Sequence, residues 1–278
     1  MNRDHSRRST LPGHISAIHA GRQAVVTAAV MLFLFLTGPQ PFASPSHAVA
    51  RKSVASRLDH ASLSRVEVRV SRLNDTRVSL KERTRQIRTL SRRNDHESIY
   101  TLMVLADGST YANSKAVEAL GKVHSPDVRS YLLEKLTTAP QHDISLIRAT
   151  IHSVASALGV EAVEPLTAYL SANRRRDDGF RVLLSTTCVE ALGEVGTSAI
   201  IAPLENELRY MEQTELNLEY GSSIVTALQK TGDGSVIPIL RQYERVMLDD
   251  MPDDEHQRSY YAMKIEEVGM TIEGLSTK

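Results

Sequence analysis

The chain has 278 residues, with 33 Lys and Arg against 33 Asp and Glu, one Cys, no Trp and only 5% aromatic residues. A single cysteine excludes an internal disulfide, so burial must hold the fold together. The aliphatic and alanine-rich composition suits thin helix–helix seams, and the length suits one elongated domain.

The N-terminus reads as an export signal. Arg3, Arg7, Arg8 and Arg22 face one acid, Asp4, ahead of the uncharged apolar run Ala24–Leu36. Gly38 and Pro39 break that run, and Ala48-Val49-Ala50 offers a small-residue cleavage site, which predicts a signal peptide over 1–50 and a mature chain from Arg51. The apolar run has 13 residues, whereas a bilayer span takes about 20. Retention as an anchor is the alternative to cleavage. No cysteine follows the run, so lipoprotein processing has no acceptor. Ser6-Arg7-Arg8-Ser9-Thr10-Leu11 resembles the twin-arginine export motif, with Thr10 where that motif has Phe, and the resemblance implies export in the folded state. Either route predicts a periplasmic or extracellular protein.

Residues 51–93 carry 13 Lys and Arg against Asp59, Glu67, Asp75 and Glu82, and residues from Asn94 onward carry 16 against 28 acids. A basic arm thus precedes an acidic body. The arm reads as two helices, about Val54 to Leu73 and Thr76 to Arg93, joined at Asn74-Asp75. Leu63, Val66, Val70 and Leu73 share one face, as do Leu80, Ile87 and Leu90. Such an arm serves either as an N-terminal cap or as a face for an anionic membrane or envelope surface. The second use would draw on Arg65, Arg69, Arg72, Arg83, Arg85, Arg88, Arg92 and Arg93, at about 1 kcal/mol per cation. Nucleic acid suits the charge, but export argues against it.

From about residue 94 to 248 the sequence repeats. Ala-Leu-Gly recurs at 119–121, 157–159 and 191–193, and Ala227-Leu228-Gln229 is a degraded copy, so the steps are 38, 34 and 36 residues. A period of this size marks stacked helical hairpins. An apolar stripe precedes each copy: Ala116, Ala119, Leu120 and Val123; Ile147, Ile151, Val154, Ala155 and Leu158; Leu184, Cys188, Ala191, Leu192 and Val195; Ile224, Ala227 and Leu228. The glycine is expected to end that helix by tolerating positive φ. A returning stripe follows: Val128, Tyr131, Leu132 and Leu136; Val163, Leu166 and Leu170; Ile200, Leu204, Leu208 and Met211; Val236, Ile239, Leu240, Tyr243 and Met247. Pro165, Pro203 and Pro238 place the first turns of the last three returning helices. Cys188 reads as a small core residue.

This pattern resembles the bacterial HEAT-like repeats also found in phycobilisome lyases, in which the first helix ends in an Ala-Leu-Gly-like motif and the second opens with an apolar-Pro-Leu-like motif. The resemblance covers roughly 95–248, including a half repeat at Ile99–Leu105. It implies an all-α fold, an α-solenoid of about four to five hairpins. The enzyme activity it invites is a bilin lyase, which stands only as an alternative, because no motif ties this chain to a chromophore. HEAT proteins resembling deoxyhypusine hydroxylase gather two irons with His-Glu pairs at the start of the first helix. Here those positions hold Ser114-Lys115, His152-Ser153, Thr186-Thr187 and Ser222-Ser223, so no such metal centre is expected. No catalytic residue and no cofactor are assigned.

After the repeats, Asp249-Asp250-Met251-Pro252-Asp253-Asp254-Glu255 lacks the spacing of a calcium loop and reads as a linker whose acids favour the next helix N-terminus. Residues 249–278 are thus expected to form this linker and a capping helix, with Tyr261, Ile265, Val268 and Ile272 on one face. Arg174-Arg175-Arg176-Asp177-Asp178 reads as an exposed loop. The functional expectation is a noncatalytic scaffold that binds a protein partner through Arg129, Glu134, Thr167, Glu205 and Arg241 on the returning helices.

Overall fold

Apolar residues spaced three and four apart, with caps at their boundaries, fold the described residues of this chain into helices. The computed structural model describes residues 47–108, 112–139, 143–174, 179–214 and 216–277. No strand occurs among them. The basic and apolar segment assigned to the export signal lies outside the described residues up to position 46, as do residues 175–178 of the arginine-rich loop.

The first helices are α1 (His47–Ala55), α2 (His60–Asn74), α3 (Leu80–Arg93) and α4 (His96–Ala106). The single helix expected from Val54 to Leu73 is in fact interrupted. Asp59 accepts a hydrogen bond from the Ser62 backbone N–H at 2.7 Å and starts α2 afresh. The expected boundary between residues 50 and 51 falls inside α1, where Ala50 and Val54 are buried. Leu80, expected on the apolar face, is exposed.

Four pairs follow: α5 (Ala112–Leu120) and α6 (Pro126–Thr138), α7 (Ile144–Leu158) and α8 (Val163–Ala172), α9 (Gly179–Val195) and α10 (Ile201–Gln213), α11 (Leu218–Lys230) and α12 (Ile237–Asp249). A long final helix, α13, spans Glu255–Ser276. Helices α3, α5, α7, α9, α11 and α13 form a row in which each packs on the next. The returning helices α6, α8 and α10 lie chiefly against the first helix of the following pair. The basic segment is part of this packing, with α2 on α4, α3 on both α4 and α5, and α1 on α4 and α6.

The repeat stripes are the core. Leu120, Ile151, Val154, Leu192, Ile224, Leu166, Leu204 and Leu240 are all inaccessible, as is Cys188, and each such aliphatic side chain contributes about 1.5–3 kcal/mol by leaving water. The prolines fall where expected: Pro165, Pro203 and Pro238 stand in the first turns of α8, α10 and α12, and Pro126 does the same for α6. Asp254 of the acidic linker caps α13 through the Gln257 N–H at 2.9 Å, and Asp250 accepts from the Tyr261 hydroxyl at 2.8 Å.

The repeat glycines act differently from expectation. Only Gly159 has a positive φ, 59°. Gly193 lies inside α9, which turns three residues later at Gly196, φ 64°. A Cβ on Gly121 would stand 2.8 Å from the Ser153 Cα, and one on Gly193 would stand 3.0 Å from the Ala227 Cα. These two glycines let neighbouring helices of the row approach backbone to backbone. Replacing either by Ala forces a helix shift and is expected to cost about 1–3 kcal/mol. Gly269→Ala or Gly274→Ala in α13, where nothing lies within 4 Å of the new carbon, is expected to add about 0.5–1 kcal/mol. Urea unfolding of the four variants checks both signs.

Candidate functional site

A groove of about 770 Å³ lies between α2 and α3, walled by Arg65, Val68, Arg69 and Arg72 on one side and Glu82, Arg85, Leu90 and Arg93 on the other. Its arginines are not equivalent. Arg65 and Arg69 both reach Glu97 in the first turn of α4, each at 2.9 Å. Arg85 pairs with Glu82 at 2.9 Å. Gln86 and Arg85 together hold the Glu82 carboxyl below its ordinary pKa. Arg72 and Arg93 have no ion pair among the described residues and are exposed, as are Arg88 and Arg92 outside the groove. Arg83 turns inward, with its Nε buried. Of the eight arginines assigned to an anionic face, the groove therefore gathers Arg65, Arg69, Arg72, Arg85 and Arg93 and leaves out Arg83, Arg88 and Arg92.

Two further openings lie between returning helices. The α8–α10 groove, about 650 Å³, is lined by Glu161, Glu164, Thr167 and Pro203. The α10–α12 groove, about 430 Å³, is lined by Glu205, Arg209, Pro238 and Arg245. Thr167 and Glu205, expected on the binding face, are thus brought to repeat-equivalent grooves. Thr167 is half-buried with its hydroxyl oxygen turned inside, and Glu205 holds Arg209 at 2.6 Å. Arg129 pairs with Glu161 at 2.9 Å, and Arg241 is exposed. Glu134 does not face solvent as expected: it is buried, 6% exposed. The reason is helical phase, since α6 is covered on two sides, by α1 and by α7.

The groove between α5 and α7, about 700 Å³, holds Ser114, Lys115 and His152 from the positions compared with metal-binding HEAT proteins. His152 Nδ1 lies 3.2 Å from a Glu194 carboxylate oxygen on α9. Among the described residues no group of three or more His, Cys, Asp or Glu could hold a metal ion. Cys188 is sealed in the core, where burial pushes its thiol pKa up and keeps it protonated.

Buried charges are committed to ties between helices, a feature the apolar pattern did not reveal. Asp107, just after α4, accepts from Arg51 of α1 at 2.9 Å and from Tyr131 and Lys135 of α6 at 2.7 and 3.1 Å. Lys135 also donates to the Ala106 carbonyl at 2.8 Å. Farther along, Glu207 of α10 accepts from Arg174 at 2.7 Å and from Tyr220 of α11 at 3.1 Å, while Arg174 lies 5.0 Å from the Tyr210 ring centre. A signal for both ties was available in the sequence as a charged residue placed between apolar stripe positions.

Compared with known proteins, the chain matches no family model and no curated sequence.

Two measurements follow from the ties. Glu207→Ala removes the acceptor shared by Tyr220 and by Arg174, whose side chain is 31% exposed and can turn to water, and is expected to cost about 1–3 kcal/mol, read as a lowered urea midpoint. Glu134 gives the pH dependence. Burial, then the Asp107 charge, hold its pKa above the ordinary 4.5, so the folded state keeps the proton longer than the unfolded chain. Its ionisation therefore costs stability as pH rises above about 4.5, and none at lower pH. Glu134→Gln is expected to raise the melting temperature at pH 7, with the gain vanishing near pH 4.

Proposed function

We propose that this protein is an exported, noncatalytic HEAT-like α-solenoid that holds a protein partner along its returning helices. The observation that carries the reading is the recurrence of open grooves between α8 and α10 and between α10 and α12, one repeat apart, each bordered by the proline that opens the next returning helix. A partner lying across both would make summed shallow contacts, the manner of binding that repeat stacks support. Photocrosslinking side chains introduced at Thr167 and Glu205 in intact cells are expected to capture one and the same protein, whereas one at Glu190, exposed on the first-helix row, is expected to capture none. Failure of positions 167 and 205 to give a shared product overturns the reading.

The export half of this proposal meets a constraint from α1. Ala48-Val49-Ala50 lies within the helix, with Ala50 buried at 5% exposure. Proteases read extended segments, so cleavage after Ala50 requires α1 to be unwound and undocked. Cleavage before folding, as in export of an unfolded chain, satisfies this directly, whereas export of the folded protein needs α1 to open locally. The folded full-length chain is expected to resist signal peptidase at Ala50 while the urea-unfolded chain is cut there, with N-terminal sequencing as the readout. Equal cutting of both would remove the constraint.

A further inference from the structure

We infer that the α2–α3 groove is the seat for a carboxylate-rich segment of a protein partner, anchored by an apolar side chain over Val68. The inference rests on the scaffold reading only in taking the occupant to be protein, and it concerns a different surface from the returning-helix grooves.

Charge complementarity is the first argument. Guanidinium forks hold carboxylates through paired N–H donors, and this segment already does so once: Glu97 is gripped by Arg65 through Nε and Nη2 at 3.1 and 2.9 Å and by Arg69 at 2.9 Å. Arg72, one turn beyond Arg69 and two beyond Arg65 on α2, continues that line with no ion-pair partner among the described residues, although its charge acts on Glu82 in the facing wall. Arg93 on the facing helix likewise has no ion-pair partner among the described residues. Both border the groove, so two guanidiniums line it with no hydrogen bond or ion pair to a protein acid among the described residues.

The second argument is shape and apolar content. Val68 is 71% exposed, yet it lies between Arg65, Arg69 and Arg72 in the groove wall, with Leu90 across from it. An apolar side chain set among arginines suits an occupant that alternates acids with aliphatic residues, the pattern of a helix or strand laid in a groove. A bilayer is flat and gains from many accessible cations at once. Here Arg65 and Arg69 are engaged by Glu97, Arg85 by Glu82 and Arg77 by Asp75, and the open site is a cleft between two helices. The observations therefore favour a peptide segment over lipid.

The test uses the full chain with three probes: a fluorescein-labelled synthetic peptide of repeated Glu-Glu-Leu units, the same peptide with Lys in place of Glu, and vesicles of phosphatidylglycerol with phosphatidylcholine. Fluorescence anisotropy is expected to show saturable binding of the acidic peptide alone, weakening as salt rises. The double variant Arg72→Glu with Arg93→Glu is expected to weaken binding roughly tenfold or more, because attraction at two forks becomes repulsion. Val68→Ser is expected to weaken it several-fold. Arg88→Glu with Arg92→Glu, the same charge change outside the groove, is expected to leave binding within about twofold, since rim charges contribute little. All these positions except Val68 are exposed arginines, and matching circular dichroism melts confirm that the variants fold. Absence of peptide binding overturns the inference, as does equal loss in the two double variants. Binding to the vesicles without binding to the peptide transfers the groove to a lipid ligand and also overturns it. Crosslinking at Thr167 and Glu205 is independent of these outcomes, so failure here leaves the scaffold reading standing.

Discussion

Close approach between successive helices of one row is the constraint from which the rest of this structure follows. Gly121 facing Ser153 and Gly193 facing Ala227 bring backbones so near that a single added carbon would meet a main-chain atom. Ser153 turns the proximity into a hydrogen bond, donating its hydroxyl to the Val117 carbonyl at 2.9 Å. Tight packing of small residues fixes the spacing of α5 on α7 and of α9 on α11, and the longer aliphatic side chains on the same helices fill the core.

Ionic ties secure the places where small-residue packing is absent. The segment before the repeats has no Ala-Leu-Gly copy, and there Asp107 collects Arg51, Tyr131 and Lys135 from two other helices. The tie around Glu207 likewise joins the end of α8 to α10 and α11 where the arginine-rich loop separates two pairs. A buried ion pair adds little net stability relative to a well-packed apolar substitute. What it does add is discrimination between registers, because a helix slipped by one turn would leave Lys135 or Glu207 buried without its partners. These residues are accordingly structural, although a charge inside a helical core is the kind of feature that draws a catalytic reading.

The repeat period, the apolar stripes and the first-turn prolines made the helical core legible before any coordinates, because each follows from local spacing. Which physical job a glycine does was not legible: Gly121 and Gly159 stand at equivalent places in the motif, yet one allows close approach and the other a positive φ. The difference lies in a neighbour some 30 residues away, which one segment of sequence does not contain. The break before α2 rests on Asp59 accepting from the Ser62 N–H, and the stripe of Leu63, Val66 and Val70 carries no mark of it. Glu134 was misplaced for a related reason. Helical phase sets which side of α6 it lies on, but the covering of that side by α1 depends on a long-range contact.

The candidate site shows the same division between local and long-range information. Net charge identified the arginines of residues 51–93 as a group, and composition could go no further, since charge counts do not separate a paired guanidinium from an unpaired one. Folding sorts them. Arg65 and Arg69 are drawn onto Glu97, Arg83 is turned inward, Arg88 and Arg92 stay outside, and Arg72 and Arg93 face the groove. A segment that looked like a uniform basic patch is thus divided into a structural half that ties α2 to α4 and a presented half that borders an open cleft. Buried Val66 and Leu73 anchor α2 beneath these ion pairs, so the presented half sits on a packed support, and recognition there would need little ordering of the protein itself.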